Sequence, residues 1–394
     1  MKVKSFFCIL VLFLIGVQEI TSQSKNTKLP VFDLSKDYPQ KKLRLQDMAE
    51  IEYVHLETTD EILLGGSSVL SAVTDKYILV HESQLGDIFV FDRKTGKIYS
   101  HFNHRGQGGM EYSWIKNGTI LDEKKEEIYV CSQFIFVYSL KGEYKRTLKI
   151  KGFENDMKIL NFDDESLFIY DDVVVLEPGR ESRIKKDPYR LVSKKDGSLI
   201  SVLDIHFSKR YTNKIPQKLE NNMWRTFQFY YPHNVHYGSD IVIMDISSDT
   251  LYHLSPNKGL IPRLTRTPSI HATDPRHIWI PFLTIDKFML FGTFILDFNS
   301  SGGQIPTLMY DFATGEVNKV SILDTEYDTK AWSQGEWEPG GDPAIAKNVY
   351  AEFIDVSSMK EAYKGKRLVG NGMKVAKNLM EDDNPVVRII KFKQ

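Results

Sequence analysis

Between Lys76 and Tyr112 the chain reads KYILVHES, QLGD, IFVFDRKTG and KIYSHF, and ends in NHRGQGGMEY. The first run alternates large apolar and polar side chains, as a half-buried strand does. IFVF is a continuous apolar run, which suits a more deeply buried strand. Asp92 to Gly96 provides a turn, because Gly96 can take the positive φ that a tight hairpin needs. Three strands joined by short turns make most of one antiparallel sheet.

Versions of this unit recur. From Trp114 to Ile150, IYVCS, FIFVYSLKGEY and KRTLKI repeat it, and Gly96 and Gly142 are separated by close to the length of a propeller blade. A third unit starts near Met157, turns at Asp196-Gly197, and carries a charged insertion from Gly179 to Pro188. After a polar connector from Ser208 to Asn222, the fourth unit contains FQFYY, DIVIMDI, DTLYHLSP and GLIPRL. The fifth contains HIWIPFLTI, KFMLFGTFILDF, TLMYDFATGEV and KVSIL, with a turn at Thr314-Gly315. The sixth has NVYAEFIDVSS, two helical pieces (Ser357 to Gly365 and Gly372 to Glu381) and a terminal strand NPVVRIIKFK.

A row of such sheets leaves two open edges, which invite aggregation, and closing the row into a ring removes them. The strand IEYVHLET (Ile51 to Thr58) has no local partner, and the sixth unit lacks a clear fourth strand. The pattern therefore predicts an all-β, six-bladed β-propeller closed by pairing of this N-terminal strand with the last blade. The irregular third and sixth units leave five or seven blades open.

The order of features resembles the six-bladed β-propeller family of exported proteins, with NHL-like blades, that is common in Bacteroidota. IEYVHLET, FNHRGQGGMEY, SDTLYHLSPNKGLIPRL (Ser248 to Leu264) and DDNPVVRIIKFK (Asp382 to Lys393) carry the resemblance. It implies an extracytoplasmic location and binding of a ligand or partner. It brings no catalytic residues. Many members look lipid-anchored, whereas this chain has no cysteine placed for lipid attachment.

Composition narrows the reading. Of 394 residues, 51 are basic and 52 acidic, and a net charge of −1 argues against a nucleic-acid-binding face. Lys2 and Lys4 precede an apolar run from Phe6 to Val17, which is too short to span a bilayer comfortably and reads as an export signal. The expected organisation is a signal peptide over 1–23, a polar leader over 24–46 and the propeller over 47–394. Cys8 falls at the start of the apolar run. Signal removal leaves Cys131 alone, so no intrachain disulfide can form, and its place after IYV suits a small buried hydrophobe.

The connections between blades gather at one end of a propeller, which singles out three loops. Residues 103–112 offer three glycines with His104, Arg105 and Glu111; such a loop can cradle an anion through its amides or serve as a tight turn whose arginine binds nearby carbonyls. His271, Asp274, Arg276 and His277 lie within seven positions but follow no metal-ligand spacing. His233 and His236 form a looser pair. The third loop holds Trp332, Glu336 and Trp337. The five tryptophans (Trp114, Trp224, Trp279, Trp332, Trp337) fall at or just after inter-blade connections, where they can stack on a ligand or pack between blades. No G-x-S-x-G, H-E-x-x-H or dinucleotide glycine fingerprint occurs, and neither a cofactor nor a metal is expected.

The sequence thus predicts an exported, monomeric, non-enzymatic binding module for a glycan, peptide or partner protein, with His104, Arg105, Glu111, His271, Asp274, Arg276, His277, Trp332, Glu336 and Trp337 at its site. The alternative is a hydrolase or lyase with its residues at the channel mouth, assisted by a metal. Mass spectrometry of the exported protein is expected to show a chain starting near Ser22 to Ser24 with no acyl group. Retention of Met1 to Val17, or an acylated Cys8, would overturn the export reading.

Overall fold

The computed structural model describes residues 29–151, 157–171, 187–211, 214–220, 223–228, 234–296, 306–327 and 344–393. The signal segment, most of the charged insertion, and Trp332, Glu336 and Trp337 lie outside them.

Six antiparallel sheets follow one another in chain order and form a six-bladed propeller. The first consists of Ser68–Val73, Tyr77–Glu82, Asp87–Asp92 and Ile98–Asn103. The second runs from Thr119–Asp122 to Tyr144–Leu148, and the third from Met157–Asn161 to Leu199–Val202. A separate hairpin, Lys214–Lys218 with Trp224–Gln228, precedes the fourth blade. The fourth blade runs from Asn234–Tyr237 to Gly259–Thr267, and the fifth from Arg276–Thr284 to Val317–Leu323.

The apolar runs owe their length to burial on both faces. In Glu127–Cys131 and Ile135–Ser139 of blade two, Ile128, Val130, Phe136 and Tyr138 pack toward blade one. The alternating residues Tyr129, Cys131, Ile135 and Val137 pack toward blade three. Period-two alternation thus sends successive side chains into opposite junctions. A distinct apolar cluster fills each of the six junctions, including the one between blades six and one, so the ring is closed. Cys131 is fully buried, and burial pushes its thiol pKa far up, which makes it an inert core residue.

Closure occurs as the sequence predicts. Val386–Phe392 pairs with Val349–Ile354 on one side and with Ala49–His55 on the other, so blade six draws strands from both ends of the chain. The helical pieces appear as Val356–Lys364 and Gly370–Asn378, inserted between two strands of this blade. Asp355 caps the first by accepting from the Ser358 amide at 2.8 Å. A two-residue strand, Ala344–Ile345, runs parallel to the first strand of blade one.

The leader is more than a linker. Val31–Asp33 adds in parallel to the outer edge of blade four, and Gln40–Arg44 adds in parallel to the outer edge of blade five. Phe32 is the anchor: it is buried, stacked 6.1 Å from Trp279 and edge-on 4.9 Å from Phe291. These added strands cover two outer edges.

Two of the turn glycines, Gly96 and Gly142, sit tightly against a neighbouring blade. Gly96, at φ +70°, lies so close to the end of blade six that a Cβ would sit 1.8 Å from the His55 carbonyl oxygen. Its own carbonyl accepts from the Glu57 amide at 2.8 Å. Gly142 repeats the arrangement one blade on, against Phe102. Gly259 is the control, with φ +69° and nothing within 4 Å of its Cβ position. Gly259→Ala is expected to cost about 1–2 kcal/mol, the strain of left-handed backbone alone. Gly96→Ala adds an overpacking term of about 1–3 kcal/mol, so its urea midpoint should fall well below that of Gly259→Ala. Equal midpoints would mean that the contact with blade six does not hold the junction.

Candidate functional site

Adjacent strands of a blade run antiparallel, so its turns alternate between the two ends of the ring. The turns after the second strands and the inter-blade connections share one end, here called the loop end. The other turns share the opposite, turn end.

At the junction of blades one and two, the predicted glycine-rich loop is held by its own hydrogen bonds. Arg105 donates from Nε to the Ser113 carbonyl at 3.1 Å and from Nη1 to the Gln84 carbonyl at 2.8 Å. Glu111 accepts from the Gly108 amide at 2.7 Å. His104 donates from Nε2 to the Gly142 carbonyl at 2.7 Å and stacks on Tyr138 at 5.1 Å. The hub is Tyr112, a residue the sequence reading left out. Fully buried, it accepts from the His104 amide and donates to the Gly86 carbonyl at 2.7 Å.

The second predicted group lies at the junction of blades four and five and converges on Tyr211, also absent from the predicted set. His271 Nδ1 is 3.1 Å from the Tyr211 hydroxyl, and the Arg276 guanidinium sits 4.0 Å from the ring centroid, a cation–π distance. Tyr211 is itself fixed by its amide, which donates to Ser247 Oγ at 2.8 Å. Asp274 is exposed. His277 is part-buried, and burial, reinforced by Arg266, lowers its pKa. Arg105 and Arg276 thus share the loop end but belong to junctions three blades apart. Of the tryptophans, Trp279 is buried in the junction of blades four and five, while Trp114 is 53% exposed.

The densest ionisable cluster was not predicted. Arg388, on the ring-closing strand, is 2% exposed and faces three carboxylates: Asp324 at 2.6 Å, Glu352 at 3.1 Å and Glu326 at 3.7 Å. Tyr53 donates to Glu326, and the Tyr327 ring lies 4.9 Å from the guanidinium. Burial raises the pKa of Glu326 and of Glu352, against the pull of Arg388. These groups come from blade six and from the chain leaving blade five, and they hold closing elements together. Among the described residues, no group of three or more His, Cys, Asp or Glu could hold a metal ion.

The ring and its closure define a nearly all-β six-bladed propeller with two side-chain clusters at its loop end. The chain belongs to the family described as "Domain of unknown function (DUF4934)", whose model matches residues 29–391. It is similar to a crystal structure from Bacteroides fragilis NCTC 9343 described as a candidate exported protein. The two share 13% identity and a TM-score of 0.56, over 90% of this chain and 99% of that one, which shows a common fold. A protein of unknown function from Bacteroides caccae aligns at 12% identity and a TM-score of 0.34, over 64% of this chain and 81% of that one. No curated protein matches the sequence.

The carboxylate cluster sets a pH dependence. Glu326 and Glu352 bind protons at higher pH when folded than the ordinary 4.5 of an unfolded glutamate. Their contribution to stability is therefore fully present below pH 4.5 and is lost as pH rises through the folded values. Glu326→Gln keeps an acceptor for Tyr53 and removes one charge. Its urea midpoint is expected to match the parent in mild acid and to exceed it increasingly toward neutral pH. A variant that loses stability more at pH 7 than at pH 5 would show that the ionised form is the stabilising one.

Proposed function

We propose that this protein is an exported binding module that presents its loop end, at the junction of blades one and two, to a partner protein. One observation carries the reading. Leu85, Met110, Trp114 and Phe134 are 59%, 60%, 53% and 41% exposed, and all four stand on loop-end segments of these two blades. The segments are tied together: Asn103 donates to the Leu85 carbonyl, Arg105 bridges Gln84 to Ser113, and Ser113 bonds Gln133. Lys116 lies 5.3 Å from the Trp114 ring.

Scattered exposed apolar side chains need no explanation, but four large ones on one bonded platform match the composition of protein-binding surfaces. The hydrogen bonds of Arg105, Glu111 and Tyr112 then serve to pre-organise that platform, which lowers the cost of ordering loops on binding. Side chains standing on turns suit an opposing protein surface better than an enclosed small molecule. Export rests on the N-terminal signal pattern and on the description of the Bacteroides fragilis structure. No helix among the described residues is long and apolar enough to cross a membrane.

The test places a photo-crosslinking residue at Met110 in the cell envelope of the producing bacterium. One dominant partner is expected, and its yield should drop about tenfold or more with Trp114→Asp, the effect of losing a hot-spot aromatic. Leu199→Asp, an equally exposed position on the outer strand of blade three, should leave the yield unchanged. Equal yields from parent and Trp114→Asp would refute the assignment.

A further inference from the structure

The turn end carries a second feature, independent of partner binding at the loops. Between blades four and five, a cleft of about 230 Å³ opens beside the turns. Its apolar surface comes from Tyr237 at the end of the first strand of blade four, and from Ile285 and Phe312 on the turns of blade five. One wall is a closed polar set. Asp286 takes a hydrogen bond from Tyr237, pairs with Lys347 at 2.6 Å and accepts from Asn348 Nδ2 at 2.8 Å. Burial would raise the Asp286 pKa, but these partners outweigh it and hold it at about 2, so the carboxylate is ionised and already engaged.

The rest of the lining is not engaged. Lys258 and Arg263 have no carboxylate partner among the described residues, and both side chains line the cleft. His253 is more than nine-tenths buried, and its Nε2 has no hydrogen-bond partner. Burial, with Arg263 nearby, moves its pKa down to about 4, so at neutral pH it is an uncharged imidazole able to donate or accept. Ser255 adds a hydroxyl from the same strand. With Lys347 and Asp286 paired, the charges left are two cations against the single carboxylate of Asp240, which favours an anion.

We propose that this cleft binds a small organic carboxylate. Its carboxylate would lie against Arg263 and Lys258, and its uncharged body against Tyr237, Ile285 and Phe312. Arg263 offers a planar fork matched to the two carboxylate oxygens, and Lys258 adds a point charge. His253 and Ser255 stand ready for polar atoms on the body. An inorganic anion would leave the aromatic and aliphatic walls unfilled. A neutral ligand would leave both cations without a partner. The volume is below the range of drug-sized pockets and suits a ring bearing one carboxylate.

The test is calorimetric titration of the full mature chain with benzoate, benzamide and inorganic phosphate. Benzoate is expected to bind, and benzamide, which has the same shape without the charge, to bind at least about tenfold more weakly. Phosphate should be no better than benzamide. Arg263→Met keeps the aliphatic stem at an exposed position and should weaken benzoate at least about tenfold with no change in melting temperature. Lys258→Met repeats the test from the turn that precedes the Arg263 strand if the first variant folds poorly. The proposal fails if benzoate gives no binding in the millimolar range, if benzamide equals it, or if neither variant changes its affinity. Tighter binding of phosphate than of benzoate would also overturn it, in favour of a simple inorganic-anion site.

Discussion

Every central strand in this protein is apolar on both faces, and that single fact fixes the architecture. A sheet buried on one side can end a stack; a sheet that sends Ile128 and Val130 one way and Tyr129 and Cys131 the other cannot. Each blade needs a neighbour on both sides, and only a ring supplies one to all of them. The junction between blades six and one is therefore as apolar as the rest, with Val54, Val387 and Ile389 packed against Ile78, Val80, Phe89 and Phe91. Gly96 and Gly142 follow from the same demand, since blades must approach closely enough for these clusters to exclude water.

The closing strand also carries the means of setting its own register. Val387 and Ile389 face blade one, while Arg388 and Ile390 face the other way. Because the side-chain period of a strand is two, a slip of one residue would drive the Arg388 guanidinium into the apolar junction and leave three carboxylates without their cation. The buried ion cluster contributes to specificity in this sense, while its surplus of negative charge weakens the fold as pH rises.

The blades were legible because their apolar runs and turn glycines repeat, and ring closure was legible from one unpartnered N-terminal strand and a last unit short of its fourth strand. The leader strands were not. Gln40–Arg44 is mostly exposed along an outer edge, so its residues are polar, and a parallel partner far along the chain needs no turn between them. Phe32 and Tyr38, which stack on each other, were the available signals, and two aromatics in a polar stretch say little by themselves. At the candidate site, the loop of Arg105 and Glu111 was readable as a tight connection. Tyr112 and Tyr211 were not, because their bonds run to Gly86 and His271, 26 and 60 residues away in the chain, which only folding of the blades brings near. The Arg388 cluster was hidden for the same reason: Tyr53, Asp324, Glu352 and Arg388 are spread from blade six's first-made strand to its last.

Blade six has a further consequence for how the molecule is made. Ala49–His55 is among the first strands to emerge during synthesis, and its partner Val386–Phe392 is among the last. Until nearly the whole chain is present, the early strand has nothing to pair with and one face of blade one stays bare. Contacts this far apart in sequence close slowly, and incomplete chains with open edges are prone to aggregate. Blades two to four can condense as local units, but the cooperative unit that resists unfolding exists only once the ends have met. The order of synthesis therefore keeps the ring open until its last strand is made.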